Sequence, residues 1–282
     1  INKTYFPFPP SGWCSWYYYY QEIDESEIQR NAKWIADNLK DYGAKYVQID
    51  DGWQGTGHGM GENRDWTTID KRFPHGMDSL ARYINHLGFK AGIWLAPHGQ
   101  SNPAVVKANP GVFLLMPNDS SASDTWEGKF LVDPTVFDTH NFLRGLFKTL
   151  SSWGYDYFKI DGQPIVINEY KKKKSFMKTP SDDYAGLYRG TLQTIRSAIG
   201  RERYLLGCWG IPLDGVGIMN GSRTGGDVVS GWDGFKVALE ATMKHYYLHN
   251  VAWYCDPDVL LVRLPLTLDQ ARAWATLQGL TG

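Results

Sequence analysis

Cysteine is scarce in this sequence, neither sign of charge is in excess, and long apolar runs are missing. The three cysteines, Cys14, Cys208 and Cys255, include no Cys-x-x-Cys pair, which argues against a disulfide scaffold and a structural zinc site. Lysine and arginine number 29 against 30 acidic residues, so no basic surface for nucleic acid or an anionic membrane is expected. No window reaches the roughly 18 consecutive apolar residues of a membrane-spanning helix. The chain is therefore expected to be globular and to bind neither nucleic acid nor membrane.

Several catalytic signatures are missing as well. The seven histidines include no His-x-His and no His-Glu-x-x-His spacing, which disfavours a zinc hydrolase. The sequence has no Gly-x-Ser-x-Gly elbow of a serine hydrolase and no Gly-x-Gly-x-x-Gly fingerprint for a dinucleotide after its first strand. Aromatic residues, by contrast, are abundant, with 12 Trp and 17 Tyr. Such a density occurs in buried cores and on surfaces that bind sugars.

Short β-branched and aromatic runs alternate with amphipathic stretches, which predicts βα units around a parallel sheet. Strands are predicted at 12–16, 45–51, 90–97, 155–161, 203–209, 217–223 and 250–255, and helices at 24–39, 78–87, 138–153, 184–199, 234–248 and 268–277. In the first helix, Ile28, Ala32 and Ile35 share one face, and Asp24 is the expected N-cap. The pattern predicts an α/β fold, a (β/α)8 TIM barrel. The eighth strand is expected near Leu280, cut short by the end of the chain.

Acidic residues follow the last apolar residue of four predicted strands. They are Asp50 and Asp51 in the second strand, Asp161 in the fourth, Asp227 after the sixth, and Asp256 and Asp258 after the seventh. In a βα barrel these positions meet at the rim where active sites lie. Glycoside hydrolysis uses two carboxyl groups that flank the scissile bond, and it fits this pattern best. A hard-cation site on the acids of the second and seventh strands is an alternative, and so is a turn around Pro257 closed by an Asp side chain.

Motifs at these strand ends resemble those of glycoside hydrolase clan D, which contains the α-galactosidases of families 27 and 36 and the raffinose-synthase-like proteins. Residues 12–16 read Gly-Trp-Cys-Ser-Trp, residues 49–54 read Ile-Asp-Asp-Gly-Trp-Gln, and residues 159–161 read Lys-Ile-Asp. Residues 222–228, Ser-Arg-Thr-Gly-Gly-Asp-Val, resemble the acid/base motif of family 27. The motifs follow one another in the clan's order, so the resemblance covers nearly the whole chain.

The resemblance implies a retaining mechanism in which Asp161 is the nucleophile and Asp227 the general acid/base. The residues themselves are compatible with these roles. The ammonium of Lys159 would favour the ionised carboxylate that a nucleophile requires. A charged Asp161 nearby would in turn let Asp227 keep its proton to higher pH, as a general acid must.

The resemblance also implies a set of sugar-binding residues. Asp50 and Asp51 match the acidic pair that accepts hydrogen bonds from the 4- and 6-hydroxyls. Lys159 would donate to the 3- and 4-oxygens and Arg223 to the 2-oxygen, near Asp258. Trp16 and Trp94 match aromatic positions that border the sugar pocket. Independently of the resemblance, Trp16, Trp53, Trp94 and Trp209 lie at or just beyond strand ends, where the apolar face of a sugar could stack. Cys208 and Trp209 match the place where family 27 senses the 2-substituent of the sugar.

The expected function is therefore a retaining exo-α-galactosidase that removes terminal α-linked galactose from an oligosaccharide or glycoconjugate, without a metal or cofactor. An α-galactosyl transglycosidase, an α-N-acetylgalactosaminidase and a non-catalytic sugar-binding barrel are alternatives. Gln163, where family 36 has Asn, and Trp209 depart from the family patterns and leave the choice of sugar open. Residues 1–282 are expected to form one catalytic barrel without the clan's accessory β-sandwich domains. The sequence leaves the oligomeric state and the compartment open, although degradation of polysaccharides suits an extracytoplasmic location.

Overall fold

The computed structural model describes residues 3–55, 61–118, 120–121, 126–209 and 213–281. The strands in these ranges are β1 (Gly12–Cys14), β2 (Tyr46–Ile49), β3 (Lys90–Leu95), β4 (Gly99–Gln100), β5 (Phe130–Leu131), β6 (Tyr155–Ile160), β7 (Tyr204–Gly207), β8 (Gly221–Arg223) and β9 (Tyr254–Asp256). Seven of them pair in parallel in the order β1-β2-β3-β6-β7-β8-β9. Each of the seven overlaps one predicted strand, although β8 and β9 are much shorter than predicted, so the α/β barrel architecture is confirmed.

Helices alternate with the strands of the sheet. They are α1 (Trp16–Tyr19), α2 (Glu25–Asn38), α3 (Met77–His86), α4 (Pro103–Ala108), α5 (Phe137–Ser152), α6 (Gln163–Lys172), α7 (Tyr184–Ile199), α8 (Trp232–His245) and α9 (Leu268–Thr281). Helix α2 begins as predicted, because the Asp24 carboxylate accepts the Glu27 backbone N–H at 2.8 Å. Its predicted apolar face is buried in the core. None of the helices in the described ranges has both the length and the apolarity needed to cross a bilayer.

The loop between β3 and β6 contains structure that the sequence did not predict. Strands β4 and β5 pair antiparallel there, and α4 begins at Pro103 beneath an Asn102 cap. Helix α6 was also not predicted, because its β-branched residues Ile165, Val166 and Ile167 resemble a strand. Pro164 in its first turn fixes a helical φ and needs no N–H partner there.

The prediction of an eighth strand near Leu280 is wrong, because Leu280 lies inside α9. This helix buries Trp274 and Leu277 against Phe235 of α8, in a small core of their own. Apolar residues at helical spacing satisfy this burial as a helix, whereas a strand would place half of them on the opposite face. Within the described residues the sheet therefore has seven strands, with β1 and β9 at its edges.

Side chains connect the two edges of this curled sheet. The hydroxyl of Tyr17, just after β1, donates to the carboxylate of Asp258, just after β9. The hydroxyl of Tyr254 in β9 donates to the carbonyl of Phe6 at 2.8 Å. The first and last strands therefore lie near each other, and their carboxyl ends face one common rim.

Backbone pairing continues one residue beyond several strands and fixes this rim. The N–H of Asp161 donates to the carbonyl of Leu95 at 3.0 Å, and the N–H of Cys208 donates to Ile160 at 2.7 Å. The N–H of Thr224 donates to the carbonyl of Asp256 at 2.9 Å. The side chains that follow β3, β6, β7, β8 and β9 are thus held at one level of the barrel.

Candidate active site

Asp161 is a buried carboxylate held by two donors. Its Oδ2 accepts the indole N–H of Trp94 at 3.0 Å, and its Oδ1 accepts the backbone N–H of Gly162 at 2.7 Å. Gly162 has φ +81°, and a Cβ on it would overlap the carboxylate of Glu127. Burial raises the pKa of Asp161 above its ordinary value, and the charge of Lys159 and the two donors only partly oppose that.

Asp227 occupies the opposite kind of environment, on the loop after β8. Its side chain is 44% exposed, and two glycines precede it. The indole N–H of Trp16 donates to Oδ2 at 3.1 Å, and the guanidinium of Arg223 approaches Oδ1 at 3.3 Å. Partial burial raises the pKa of Asp227, but Arg223 and Lys159 outweigh it, so the pKa lies below the ordinary value.

The prediction that Asp227 keeps its proton to higher pH is therefore wrong for the chain by itself. The charge on Asp161 would raise the pKa of Asp227, but the cations Arg223 and Lys159 lower it more strongly. The expected effect of Lys159 on Asp161 has the correct sign, but burial exceeds it. Without a ligand, Asp161 therefore has the higher pKa and Asp227 the lower one. The predicted roles, an ionised nucleophile and a protonated acid, need the reverse order.

Asp50 and Lys159 form a buried ion pair beside Asp161. The Nζ of Lys159 donates to Oδ2 of Asp50 at 2.9 Å. The same oxygen accepts from Gln48 at 2.8 Å and from the thiol of Cys14 at 3.4 Å. Burial lowers the pKa of Lys159, but Asp50 together with Cys208, Cys14 and Tyr17 outweighs burial, so the pKa lies well above its ordinary value. A charged donor and a charged acceptor that lie side by side can bind neighbouring hydroxyls of one sugar ring.

Asp51 is already saturated by donors of the protein. Its Oδ1 accepts from Gln54 at 2.8 Å and from Asn63 at 2.9 Å, while its Oδ2 accepts from Arg64 and Gln21, both at 3.0 Å. A carboxylate offers about four acceptor positions. These bonds give Asp51 a role in holding the surrounding loops together, and its predicted role in sugar binding stays a prediction.

Arg223 links three of the predicted residues. Its guanidinium donates to Asp258 at 2.6 Å, to the sulfur of Cys208 at 3.3 Å and to Asp227. Asp258 also accepts the backbone N–H of Val228 at 2.9 Å. Its own N–H donates to Asp256 at 2.8 Å, which is the predicted turn around Pro257. The loops after β8 and β9 are therefore tied to each other through one buried cation.

The four predicted tryptophans do not all reach the rim. Trp16 is half-buried beside Asp227, and Trp94 is buried beside Asp161. Trp209 is 42% exposed, has φ +67°, and lies with its ring centroid 5.6 Å from that of Trp126. Trp53 is fully buried and donates its N–H to the carbonyl of Trp94 at 2.8 Å. The expectation of a platform is therefore wrong for both Trp53 and Trp94, because neither ring has an accessible face; Trp53 instead supports the backbone of Trp94.

The cation alternative finds no support in the described ranges. No group of three or more His, Cys, Asp or Glu side chains there could hold a metal ion. Three of the four acids proposed for it pair with cationic side chains instead: Asp50 with Lys159, Asp51 with Arg64, and Asp258 with Arg223.

Three residues near the site were not predicted. The guanidinium of Arg64 lies 5.0 Å from the ring centroid of Trp94 and 4.5 Å from that of Trp126. Glu127 is fully buried, and burial together with the charge on Asp161 raises its pKa well above the ordinary range. Arg64 and Glu127 lie in long loops without a recognisable pattern. Tyr17 could have been found, because it follows the motif that contains Trp16.

Comparisons with known proteins agree with this geometry. The Melibiase family model matches residues 11–196. An α-galactosidase of Oryza sativa subsp. japonica is 25% identical over 263 residues, which cover 90% of this chain and 51% of the rice protein. TtGalA, an α-galactosidase of Thermus thermophilus solved with stachyose, is 28% identical with a TM-score of 0.76, over 97% of this chain and 59% of that one.

A β-L-arabinopyranosidase of Geobacillus stearothermophilus, solved with arabinose, is 25% identical with a TM-score of 0.67, over 89% of this chain and 61% of that one. The chain thus spans little more than half the length of the relatives that it matches. The resemblance to glycoside hydrolase clan D is confirmed.

Proposed function

Because this chain belongs to the Melibiase family, we propose that it is the catalytic barrel of a retaining exo-α-galactosidase. The observation that carries the proposal is Asp161, a buried carboxylate with two N–H donors at the rim that also holds Asp227. Relatives named as α-galactosidases, one of them solved with stachyose, support galactosides of oligosaccharides as the substrate class. Such substrates suit action outside the cytoplasm, which fractionation of the host cells would test.

In the proposed reaction Asp161 attacks the anomeric carbon and forms an ester, while the bond from that carbon to the glycosidic oxygen breaks. Asp227 gives its proton to the departing oxygen. Asp227 then takes a proton from water as the water attacks the ester, which releases the sugar and restores Asp161. A bound substrate removes water from Asp227, which raises the pKa of this half-exposed carboxyl toward the value that an acid needs.

The sugar would lie over the buried ion pair. Lys159 and Asp50 offer a donor and an acceptor to the 3-, 4- and 6-oxygens, as the clan's pattern implies. Arg223 and Cys208 lie on the side of the 2-oxygen, next to Asp227. The N–H of Trp94 favours the ionised form of Asp161, because it stabilises the charged carboxylate and partly opposes the effect of burial on the pKa.

Replacement of Asp161 tests the proposal. Asp161→Asn should lower hydrolysis of nitrophenyl α-galactoside by at least roughly 10³-fold, because the nucleophile is gone. Azide should restore turnover to Asp161→Gly and give a β-galactosyl azide, the inverted product. Asp156→Asn is the matched control. Asp156 lies in β6, the strand that Asp161 directly follows, and it pairs with Lys90 and Arg203 away from the rim. Near-normal activity of either Asp161 variant would refute the assignment.

The choice of sugar is tested with a panel of nitrophenyl glycosides. We expect α-galactoside to be hydrolysed faster than α-N-acetylgalactosaminide, because the sulfur of Cys208 and the guanidinium of Arg223 pack together where a 2-substituent would lie. β-L-Arabinopyranoside belongs in the panel because of the Geobacillus relative. If either competitor is hydrolysed faster, the proposed preference for galactose is wrong. If a transfer product is the main product when an acceptor sugar is added, the chain is a transglycosidase instead of a hydrolase.

A further inference from the structure

The carboxyl group of Glu127 packs against the backbone of Gly162, the residue that follows the proposed nucleophile. Gly162 has φ +81°, and its N–H donates to Oδ1 of Asp161 at 2.7 Å. The three atoms nearest to a Cβ built on Gly162 all belong to the carboxyl group of Glu127, which that Cβ would overlap. The side chain of Glu127 is fully buried. Glu127 thus occupies the space that the missing side chain of Gly162 leaves beside Asp161.

The residue before Glu127 supports the other donor of Asp161. Oδ2 of Asp161 accepts the indole N–H of Trp94 at 3.0 Å. The ring of Trp126 meets the ring of Trp94 edge to face, with centroids 6.1 Å apart and planes at 85°. Two consecutive residues of the loop that leads into β5 therefore pack against the two groups that donate to one carboxylate.

The surroundings of Glu127 favour its uncharged form. Burial and the charge on Asp161 raise the pKa of Glu127 well above its ordinary value, and Arg64 opposes them only partly. Tyr170 of α6 and Tyr188 of α7 lie within electrostatic range, and burial is the main cause that raises the pKa of both phenols. An ionised Glu127 would disfavour the ionised nucleophile. The neutral acid packs against Gly162 without that effect.

We propose that Glu127 is a positioning residue, which holds Gly162, and through it Asp161, in the geometry for attack on the anomeric carbon. A displacement of about 1 Å can cost roughly 10²-fold in rate, so this packing should matter for kcat. Lys159 and Asp50, which would bind the sugar, are held by their own ion pair, so KM should depend on Glu127 much less. This inference rests on the proposed function and adds to it a residue outside the strand ends.

Two substitutions of Glu127 separate positioning from charge. Glu127→Gln keeps the size and the neutral state, so kcat for nitrophenyl α-galactoside should stay within about twofold. The high-pH limb of kcat/KM should not move, because no charge beside Asp161 is added or removed. Glu127→Ala should lower kcat by roughly 10²-fold and change KM by less than about threefold.

Glu169→Gln is the matched control for these two variants. Glu169 is another buried glutamate, in α6, and it pairs with Lys172, so its replacement should change neither kcat nor KM. A loss in Glu127→Gln as large as that in Glu127→Ala, or an effect of Glu127→Ala on KM alone, would overturn the proposal.

A double variant tests the contact with Gly162 even if Glu127→Ala folds poorly. Gly162→Ala alone places a methyl group into the carboxyl of Glu127, whereas Glu127→Ala/Gly162→Ala has room for it. The double variant should retain at least about tenfold more kcat than the product of the two single effects predicts. It should also have a higher Tm than the sum of the two single shifts predicts.

Multiplicative effects on kcat together with additive shifts of Tm would overturn the proposal. The Tm values need no substrate, so they decide whether Glu127 supports Gly162 whatever the activity of the chain. If the unmodified chain does not hydrolyse the α-galactoside, the proposed function has failed, and the Asp161 variants test that separately.

Discussion

The two carboxyls proposed for catalysis lie in contrasting regions. Asp161 directly follows β6, is buried, and is held by a ladder bond to Leu95 and by N–H donors from Trp94 and Gly162. Asp227 lies on a loop after two glycines, is nearly half exposed, and is held by Trp16 and Arg223 at longer distances. One carboxyl is thus part of the sheet, whereas the other belongs to a loop.

The difference matches the two tasks. A nucleophile has to meet one carbon at one distance, so a rigid strand end with several donors suits it. An acid/base has to serve a leaving oxygen and then a water molecule, so a more exposed carboxyl on a loop suits it. The pKa directions follow from the same contrast: burial outweighs the opposing charges and donors at Asp161, whereas the cations and hydrogen-bond donors around Asp227 together outweigh its burial.

The strongest test of the contrast compares Asp161→Asn with Asp227→Asn on a substrate that needs no acid. Fluoride leaves with little protonation, so Asp227→Asn should form the glycosyl-enzyme from α-galactosyl fluoride within about tenfold of the normal rate. Asp161→Asn should lose roughly 10³-fold or more, because no ester can form. Rapid-quench measurement of the fluoride burst provides the comparison. Equal losses in the two variants would mean that the roles are not divided in this way.

A pair of glycine substitutions tests rigidity. Gly162→Ala places a methyl group against Glu127 at a positive φ, whereas a Cβ on Gly226 would meet nothing within 4 Å. We expect Gly162→Ala to reduce kcat by about 10²-fold through displacement of Asp161 and to cost about 1–3 kcal/mol of unfolding free energy. Gly226→Ala should change both by little. Thermal unfolding and steady-state rates measure the pair, and comparable losses in both variants would contradict the contrast.

The smallest effect concerns pH. In the free chain the pKa of Asp227 lies below that of Asp161, so the low-pH limb of kcat/KM belongs to Asp227 and the high-pH limb to Asp161. Trp16→Phe removes a donor to ionised Asp227, which raises the pKa of Asp227 and shifts the low-pH limb to higher pH. Trp94→Phe removes a donor to ionised Asp161, which raises the pKa of Asp161 and shifts the high-pH limb to higher pH. If each variant moves the other limb, the order of the two pKa values is reversed.

The parts of the fold that were predicted depend on local periodicity. Helix α2 was found from Asp24 and the spacing of Ile28, Ala32 and Ile35, because capping and one-sided burial are local properties. Helix α6 and the β4–β5 pair were missed. The first contains β-branched residues that suit a strand, and the second depends on pairing between segments about 30 residues apart.

The site was predicted as a set of residues but not as a network. Carboxylates after strands give a clear signal, since strand ends meet at one rim. Which donors surround each carboxylate is decided by distant loops: Arg64 and Asn63 saturate Asp51, and Arg223 bridges Asp258 to Asp227. No spacing in the sequence predicts these pairs.

The sequence by itself determined the seven strands of the parallel sheet, six of the helices, the family motifs and the acids at the barrel rim, because these depend on residues near each other in the chain. Only the tertiary structure decided that Leu280 is helical, that Trp53 is buried and that Asp227 has a lowered pKa. Burial and electrostatic environment are properties of all neighbours in space. Trp53 and Asp227 contact residues distant in the chain, among them Trp94 and Trp16, so no local pattern reports their environments.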